Sequence, residues 1–150
     1  MRDKKQLIPI AGLLGTMAIS TYMVTQLSGQ GTATTGDFTN AAVAEVRDAQ
    51  GQVVLRGQFI LAEEEDDDVE RKAKLEPTGI DADAAGEAEV ELARTNPVEQ
   101  EVEFSVSNLQ AGAAFTFVID GTDVATATAD ERGRAEVELD IKMPGATATR

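Results

Sequence analysis

The chain of 150 residues contains no cysteine and no histidine. Without cysteine there is no disulfide, no thiol nucleophile, no thiolate metal site and no lipid attachment through a lipobox cysteine. Without histidine, the usual base near neutral pH and the commonest metal ligand are both missing. Ser105 and Ser107 therefore have no imidazole to activate them. Tryptophan is absent and aromatic residues make up only 4% of the chain. That leaves no stacking platform for a sugar and predicts a thin, alanine-rich core of modest stability. Asn40, Asn96 and Asn108 all fail the glycosylation pattern. No glycine-rich phosphate loop follows a strand and opens a helix. These absences point away from an enzyme, and the sequence assigns no catalytic, cofactor-binding or metal site.

Basic residues are scarce as well, 13 against 27 acidic, for a net charge of −14. Their placement is uneven. Arg2, Lys4 and Lys5 stand at the start with only Asp3 against them, so the rest keeps ten basic and twenty-six acidic residues, a net of −16. A surface this acidic repels nucleic acid, whose binding requires Lys and Arg on phosphates. It suits solubility, cations or a basic protein partner.

Long hydrophobic runs are rare too, with one exception. Leu7 to Val24 is uncharged throughout. As a helix it covers roughly 27 Å, just enough for a bilayer core. Basic residues before it and acidic ones after it place the N-terminus in the cytoplasm and the rest outside. Two outcomes stay open, and a third, a buried helix of a soluble protein, is disfavoured because nothing else in the chain resembles a partner helix. The segment stays as an anchor of the cytoplasmic membrane, or it is a leader cut near Ala18 and Ser20 and the body is secreted. Residues 1–27 thus form an anchor or signal segment. A spacer of small polar residues, Ser28 to Gly36, opens a flexible linker that runs to residue 40. A folded domain follows over 41–143, and residues 144–150 read as an unstructured tail.

A repeat dominates that domain. Gly86 to Leu92 (GEAEVEL) matches Gly133 to Leu139 (GRAEVEL) at all but one position. Asp83 and Asp130 each stand three residues before the glycine, and Asp48 to Gly51 is a third Asp-x-x-Gly. Asp opens a turn by accepting a backbone N–H, and Gly closes it with positive φ. Ala88, Val90 and Leu92 then share one face, with Glu87, Glu89 and Glu91 on the other. Ala135, Val137, Leu139 and Ile141 repeat the pattern. Period two means a strand with one wet face. Asp120-Gly121 is a further hairpin turn, and Val102, Phe104 and Val106 alternate in another strand. Pro97 sits in the connection before it. About eight strands over Ala41 to Lys142 predict a mainly β, antiparallel sandwich. The core would use Val46, Val54, Phe59, Leu61, Val90, Leu92, Val102, Phe104, Phe115, Phe117, Val137 and Leu139.

The stretch Leu109-Gln-Ala-Gly-Ala-Ala-Phe115-Thr-Phe117 resembles the Leu-x-Pro-Gly-x-x-Tyr corner of fibronectin type III and related immunoglobulin-like modules. It departs from that pattern at Ala111 and Phe115, so the phenolic hydroxyl that bonds back to the corner is missing. The resemblance covers about nine residues. It implies an immunoglobulin-like sandwich used as a spacer or binding scaffold, and carries over no catalytic residue.

Three acidic features remain. Glu63 to Asp68 is a run of six carboxylates, read as a solvated loop between two strands, with cation binding or docking to a basic partner as alternatives. Asp68 to Leu75 fits both a helix, through Asp67/Arg71, Asp68/Lys72 and Glu70/Lys74, and an alternating strand; the strand is preferred because it completes a hairpin with Val53 to Leu61. Asp81-Ala-Asp83-Ala-Ala85-Gly86 starts like an EF-hand loop but fails at Ala85 and Leu92, so it reads as a turn. The expected function is a non-enzymatic binding or scaffold module of the cell envelope. A Ca²⁺-responsive acidic module and a subunit of a surface assembly, its helix in a polymer core, are the alternatives. Oligomeric state is not legible.

Overall fold

The structure, a computed structural model, describes residues 36–65, 68–93 and 99–142. The membrane segment 7–24, most of the spacer, Pro97, the centre of the acidic run and the tail 144–150 lie outside the described residues. Eight strands account for nearly all of the rest, and no helix occurs among the described residues. They are β1 (Val43–Arg47), β2 (Val53–Glu65), β3 (Asp68–Pro77), β4 (Ala85–Ala93), β5 (Glu99–Ser107), β6 (Ala114–Ile119), β7 (Thr122–Thr128) and β8 (Ala135–Lys142). Asp68 to Leu75 is strand, as its alternation predicts.

All pairings are antiparallel, and the order is β7-β6-β1-β2-β3-β4-β5-β8. β1 to β5 form one meander. The chain then crosses to pair β6 with β1, and crosses back to pair β8 with β5. The immunoglobulin order differs, since there the second and third strands sit in different sheets. Here the sheet is continuous and curls until its two end strands, β7 and β8, come into contact. The long hairpin β2–β3 joins the halves β7-β6-β1-β2 and β3-β4-β5-β8.

Alternation supplies the core. Val46, Leu55, Phe59, Ala73, Leu75, Ala88, Val90, Val102, Phe104, Phe117, Ile119, Val124 and Val137 are buried in one cluster. Phe104 of β5 meets Phe117 of β6 edge to face, with ring centroids 5.1 Å apart. Those strands are not neighbours in the sheet, so this contact spans the interior. Two predicted core residues fare differently. Leu139 is half-buried, and Leu61 is exposed at 49%. Leu61 has inward parity, but β2 outruns the body there: β1 accompanies β2 only from Val53 to Gln58, and the β2–β3 register slips between Leu61 and Glu63.

Turn chemistry sets the hairpins. The Asp48 carboxylate accepts the N–H groups of Gln50 and Gln52 at 2.9 and 2.8 Å, and Gly51 closes the turn at φ 78°. Asp130 repeats this with Arg132 and Arg134, both at 2.8 Å, and Gly133 at φ 73°. Asp120 and Gly121 take φ 48° and 81° in the β6–β7 hairpin. The third expected turn, Asp83 to Gly86, does not form. Gly86 lies inside β4 opposite Val106, and the turn falls earlier, with Ala84 N–H donating to Asp81 O.

Residues 37–40 belong to the packed body instead of the flexible linker. Phe38 is buried in the core cluster. Its N–H donates to Oε1 of Gln100 at 3.1 Å. The acidic run is likewise not simply a loop: Glu63 to Glu65 end β2 and Asp68 begins β3.

Candidate functional site

Three surface features are candidates. Strand direction orders them. β1, β3, β5 and β7 start at the end of the body where the chain enters at residue 36, and β2, β4, β6 and β8 finish there. The acidic hairpin end of β2–β3 and the entry segment 36–42 therefore share one end. The turns at 48–51 and 130–133 share the other.

The first candidate is the outer face of β3, β4, β5 and β8. Register aligns its charges into rungs. Glu89 stands opposite Glu103, which stands opposite Glu138. Glu91 stands opposite Glu101, which stands opposite Asp140. Adjacent strands are about 4.8 Å apart, and like charges directly opposite destabilise a sheet. Lys72 of β3 is the cation at one end of this array. It pairs with Glu70 on its own strand and reaches Glu89 at 3.5 Å.

Protonation follows from this crowding. Burial, then the neighbouring Glu70, push Glu89 from its ordinary 4.5 up to about 7, against the pull of Lys72. Glu70, closest to the Lys72 ammonium, is held below its usual range. A protonated Glu89 can donate to it. Glu101 is raised by burial first and then by Glu138, Asp140, Glu91 and Glu103. The depression between Glu89, Glu91, Glu101 and Glu103 measures about 20 Å³. That is room for about one water molecule, whereas small-molecule sites occupy hundreds of Å³. Among the described residues no group of three or more acids forms a metal-holding cluster. Side chains on neighbouring strands stand side by side, so their oxygens do not converge on one point.

A polar plug at the entry end is the second candidate. Gln100 is the one buried polar side chain among the described residues. Its Nε2 donates to Asp37 Oδ1 at 3.1 Å and to Thr39 Oγ1 at 3.2 Å. Thr39 O in turn accepts Nε of Arg71 at 2.8 Å. Hydrogen bonds from the Thr39 hydroxyl and N–H hold the Asp37 carboxyl below its usual range. Nearby, the Asp120 carboxylate accepts the N–H of Ala42 at 3.1 Å and of Val43 at 2.8 Å. Among the described residues every partner here is internal, so this network fastens the entry segment to the body. Sequence reasoning missed it. The signal was present, since Gln100 shares parity with Val102, Phe104 and Val106.

The third candidate is the outer edge of β2 beyond Gln58. Among the described residues no strand pairs with it, and Ile60 and Leu61 are 67% and 49% exposed. Ser105 and Ser107, the hydroxyls the sequence singles out, sit on β5, where Ser107 Oγ donates to Ala85 O at 3.4 Å. Asp81 and Asp83 lie in the connection before β4. Comparison with protein-family models, curated proteins and solved structures finds no match to this chain.

Proposed function

We propose that this protein is a non-enzymatic binding or scaffold module, carried outside the cytoplasmic membrane by its apolar leader and recognising a basic partner. In this reading the β-body is an extracytoplasmic domain, tethered if the leader stays and released if it is cut. Its two four-stranded halves face one another across one core as the layers of a sandwich do, joined at the β2–β3 hairpin.

The observation that carries the reading is the double rung of carboxylates on β4, β5 and β8. A sheet selected for stability alone would alternate signs across strands. Among the described residues Lys72 reaches only Glu89, at one end of the array, and local rules broken with so little compensation mark surfaces kept for use. A cationic protein surface would supply the missing countercharge, and rim charges of this kind steer encounter and choose partners.

Thermal melting of the full chain with polylysine is the test. A specific basic partner raises the midpoint saturably. Sodium chloride at matched ionic strength screens without saturating. Equal shifts from both would overturn the reading, and a saturable rise confined to CaCl₂ would favour the Ca²⁺-responsive alternative in its place.

A further inference from the structure

We infer that the edge of β2 from Ile60 to Glu63, unpaired among the described residues, is a strand-addition site for an extended segment of a partner protein, apolar opposite Ile60 and Leu61 and basic beside them. This rests on the binding-module reading and names the surface and the partner's chemistry.

Backbone geometry supplies the first argument. Phe59 N–H points away from β3 and donates to Ala42 O at 2.9 Å. Amides two apart on a strand point the same way, so Leu61 N–H faces the outer edge, where β1 has already ended. Free N–H and C=O groups on an edge are a template for another strand, and proteins commonly blunt such edges with charge or proline. Here two large exposed apolar side chains, Ile60 and Leu61, come before the register slip and the carboxylates that begin at Glu63. Ile60 is the most exposed large hydrophobic residue of the described chain.

Charge chooses the occupant. The sequence continues from Ala62 directly into the carboxylate run Glu63 to Asp68. The cations across β3 are already engaged: Lys72, opposite Ile60, with Glu70 and Glu89, and Arg71, opposite Leu61, with Thr39 O. A second copy of this chain would bring Glu63 and its neighbours against the same run on a molecule of net charge −14. A segment with lysines or arginines beside an apolar pair meets both demands. Strand addition gives affinity through the main chain and specificity through alternate side chains.

The experiment uses the full chain in nanodiscs of zwitterionic lipid, so that a basic probe is not drawn to anionic headgroups. The probe is a capped octapeptide, three lysines followed by Thr-Val-Val-Thr-Gly. Its controls are the same peptide N-methylated at alternate amides and a version with glutamate for lysine. We expect slowed amide exchange at residues 60–63, and no binding by either control. Leu61→Pro removes one edge donor where proline is tolerated, and Ile60→Lys places a like charge at the apolar contact. Each should weaken the peptide at least tenfold while the melting midpoint of the free chain stays within a few degrees.

Three results would overturn the inference. Protection on β4, β5 and β8, indifferent to Leu61→Pro and to N-methylation, would put the partner on the acidic face and leave the binding-module reading standing. Protection of 60–63 without peptide, together with a dimer in sedimentation, would make a second copy the occupant. Absence of binding at millimolar peptide, combined with no saturable response to polylysine, would remove this inference and the function it rests on together.

Discussion

The two copies of the heptapeptide repeat flank the same strand and yet do different work. β4 and β8 both pair with β5, one on each side. Ala88 stands opposite Phe104 in one ladder, and Val137, two places further along its own repeat, stands opposite Phe104 in the other. The copies are therefore displaced by one two-residue step. That step keeps every apolar residue inward, because side chains repeat every second residue. It also moves the leading glycine from one role to another. Gly133 is a turn residue with positive φ, packed on the corner at Leu109. Gly86 is a strand residue that lets the β5 backbone approach. Identical local signals thus gave one turn and one strand: Gly86 is paired on both sides, with Leu75 of β3 and Val106 of β5, whereas Gly133 lies before the start of β8.

Phe104, the residue both ladders share, should show the largest effect. Phe104→Ala removes a ring with no exposed surface and its contact with Phe117. A loss of about 3–5 kcal/mol is expected from denaturant unfolding. A loss under about 1 kcal/mol would mean that β4 and β8 do not pack on a common residue.

The glycines divide the comparison more finely. A Cβ on Gly133 would sit 2.3 Å from Leu109 O in a backbone that already has φ +73°. A Cβ on Gly86 would sit 2.6 Å from Ser105 O with no such strain. We expect Gly133→Ala to cost about 3 kcal/mol and Gly86→Ala about 2 kcal/mol, the difference being the left-handed backbone. Gly51, at φ +78° with nothing within 4 Å, calibrates that share; Gly51→Ala should cost about 1 kcal/mol. If Gly86→Ala proved the worst of the three, the role assigned to each glycine would have to be exchanged.

The aspartates should separate in the same direction. Asp130 accepts two backbone N–H groups, and its carboxyl is held low chiefly by the N–H of Arg134. Among the described residues the Asp83 carboxylate accepts none, and only its carbonyl is used, by Asn108 Nδ2 at 3.0 Å. Asp130→Ala should lower the melting midpoint by a few degrees, and Asp83→Ala should leave it unchanged. Equal losses would show that a turn forms at both repeats in solution.

The smallest expected effect is on pH dependence, and it tests the rungs. Glu89, raised to about 7, and Glu101, raised above 4.5, bind protons more tightly in the folded state. Their repulsion is present above the folded value and is relieved as pH falls, so stability should rise between about pH 7 and the ordinary 4.5. Asp37, Glu70 and Asp130 are lowered from ordinary values of 3.8, 4.5 and 3.8. Their contribution is present above those values and lost on further acidification. The melting midpoint should therefore peak near pH 5. Glu89→Gln should flatten the rise on the alkaline side. A midpoint that falls steadily from pH 8 to 5 would show that the rungs are screened to insignificance.

Particular residues show how far the sequence could be read. Alternation placed Val90, Val102, Phe104 and Phe117 in the core, and the turns at Asp48, Asp120 and Asp130 were legible from side-chain chemistry. Leu61 was misread because parity tells which way a side chain points but not whether anything covers it. Phe38 and Gln100 were missed because they are far apart in sequence and meet only when the entry segment folds over the end of the body. The same holds for the rungs. Each glutamate was visibly outward, but Glu89, Glu103 and Glu138 lie on three strands that sequence alone does not align.

Strand content, inward and outward faces, and the Asp-Gly turns were determined by the amino-acid sequence itself, because they arise from the two-residue period of the backbone and from hydrogen bonds spanning at most a few positions. Strand order, the single curled sheet, the choice between Gly86 and Gly133 as turn, and the meeting of carboxylates across β4, β5 and β8 were decided only in the tertiary structure. Those features depend on which distant strands find each other and in what register, and that choice is made by burying one common core.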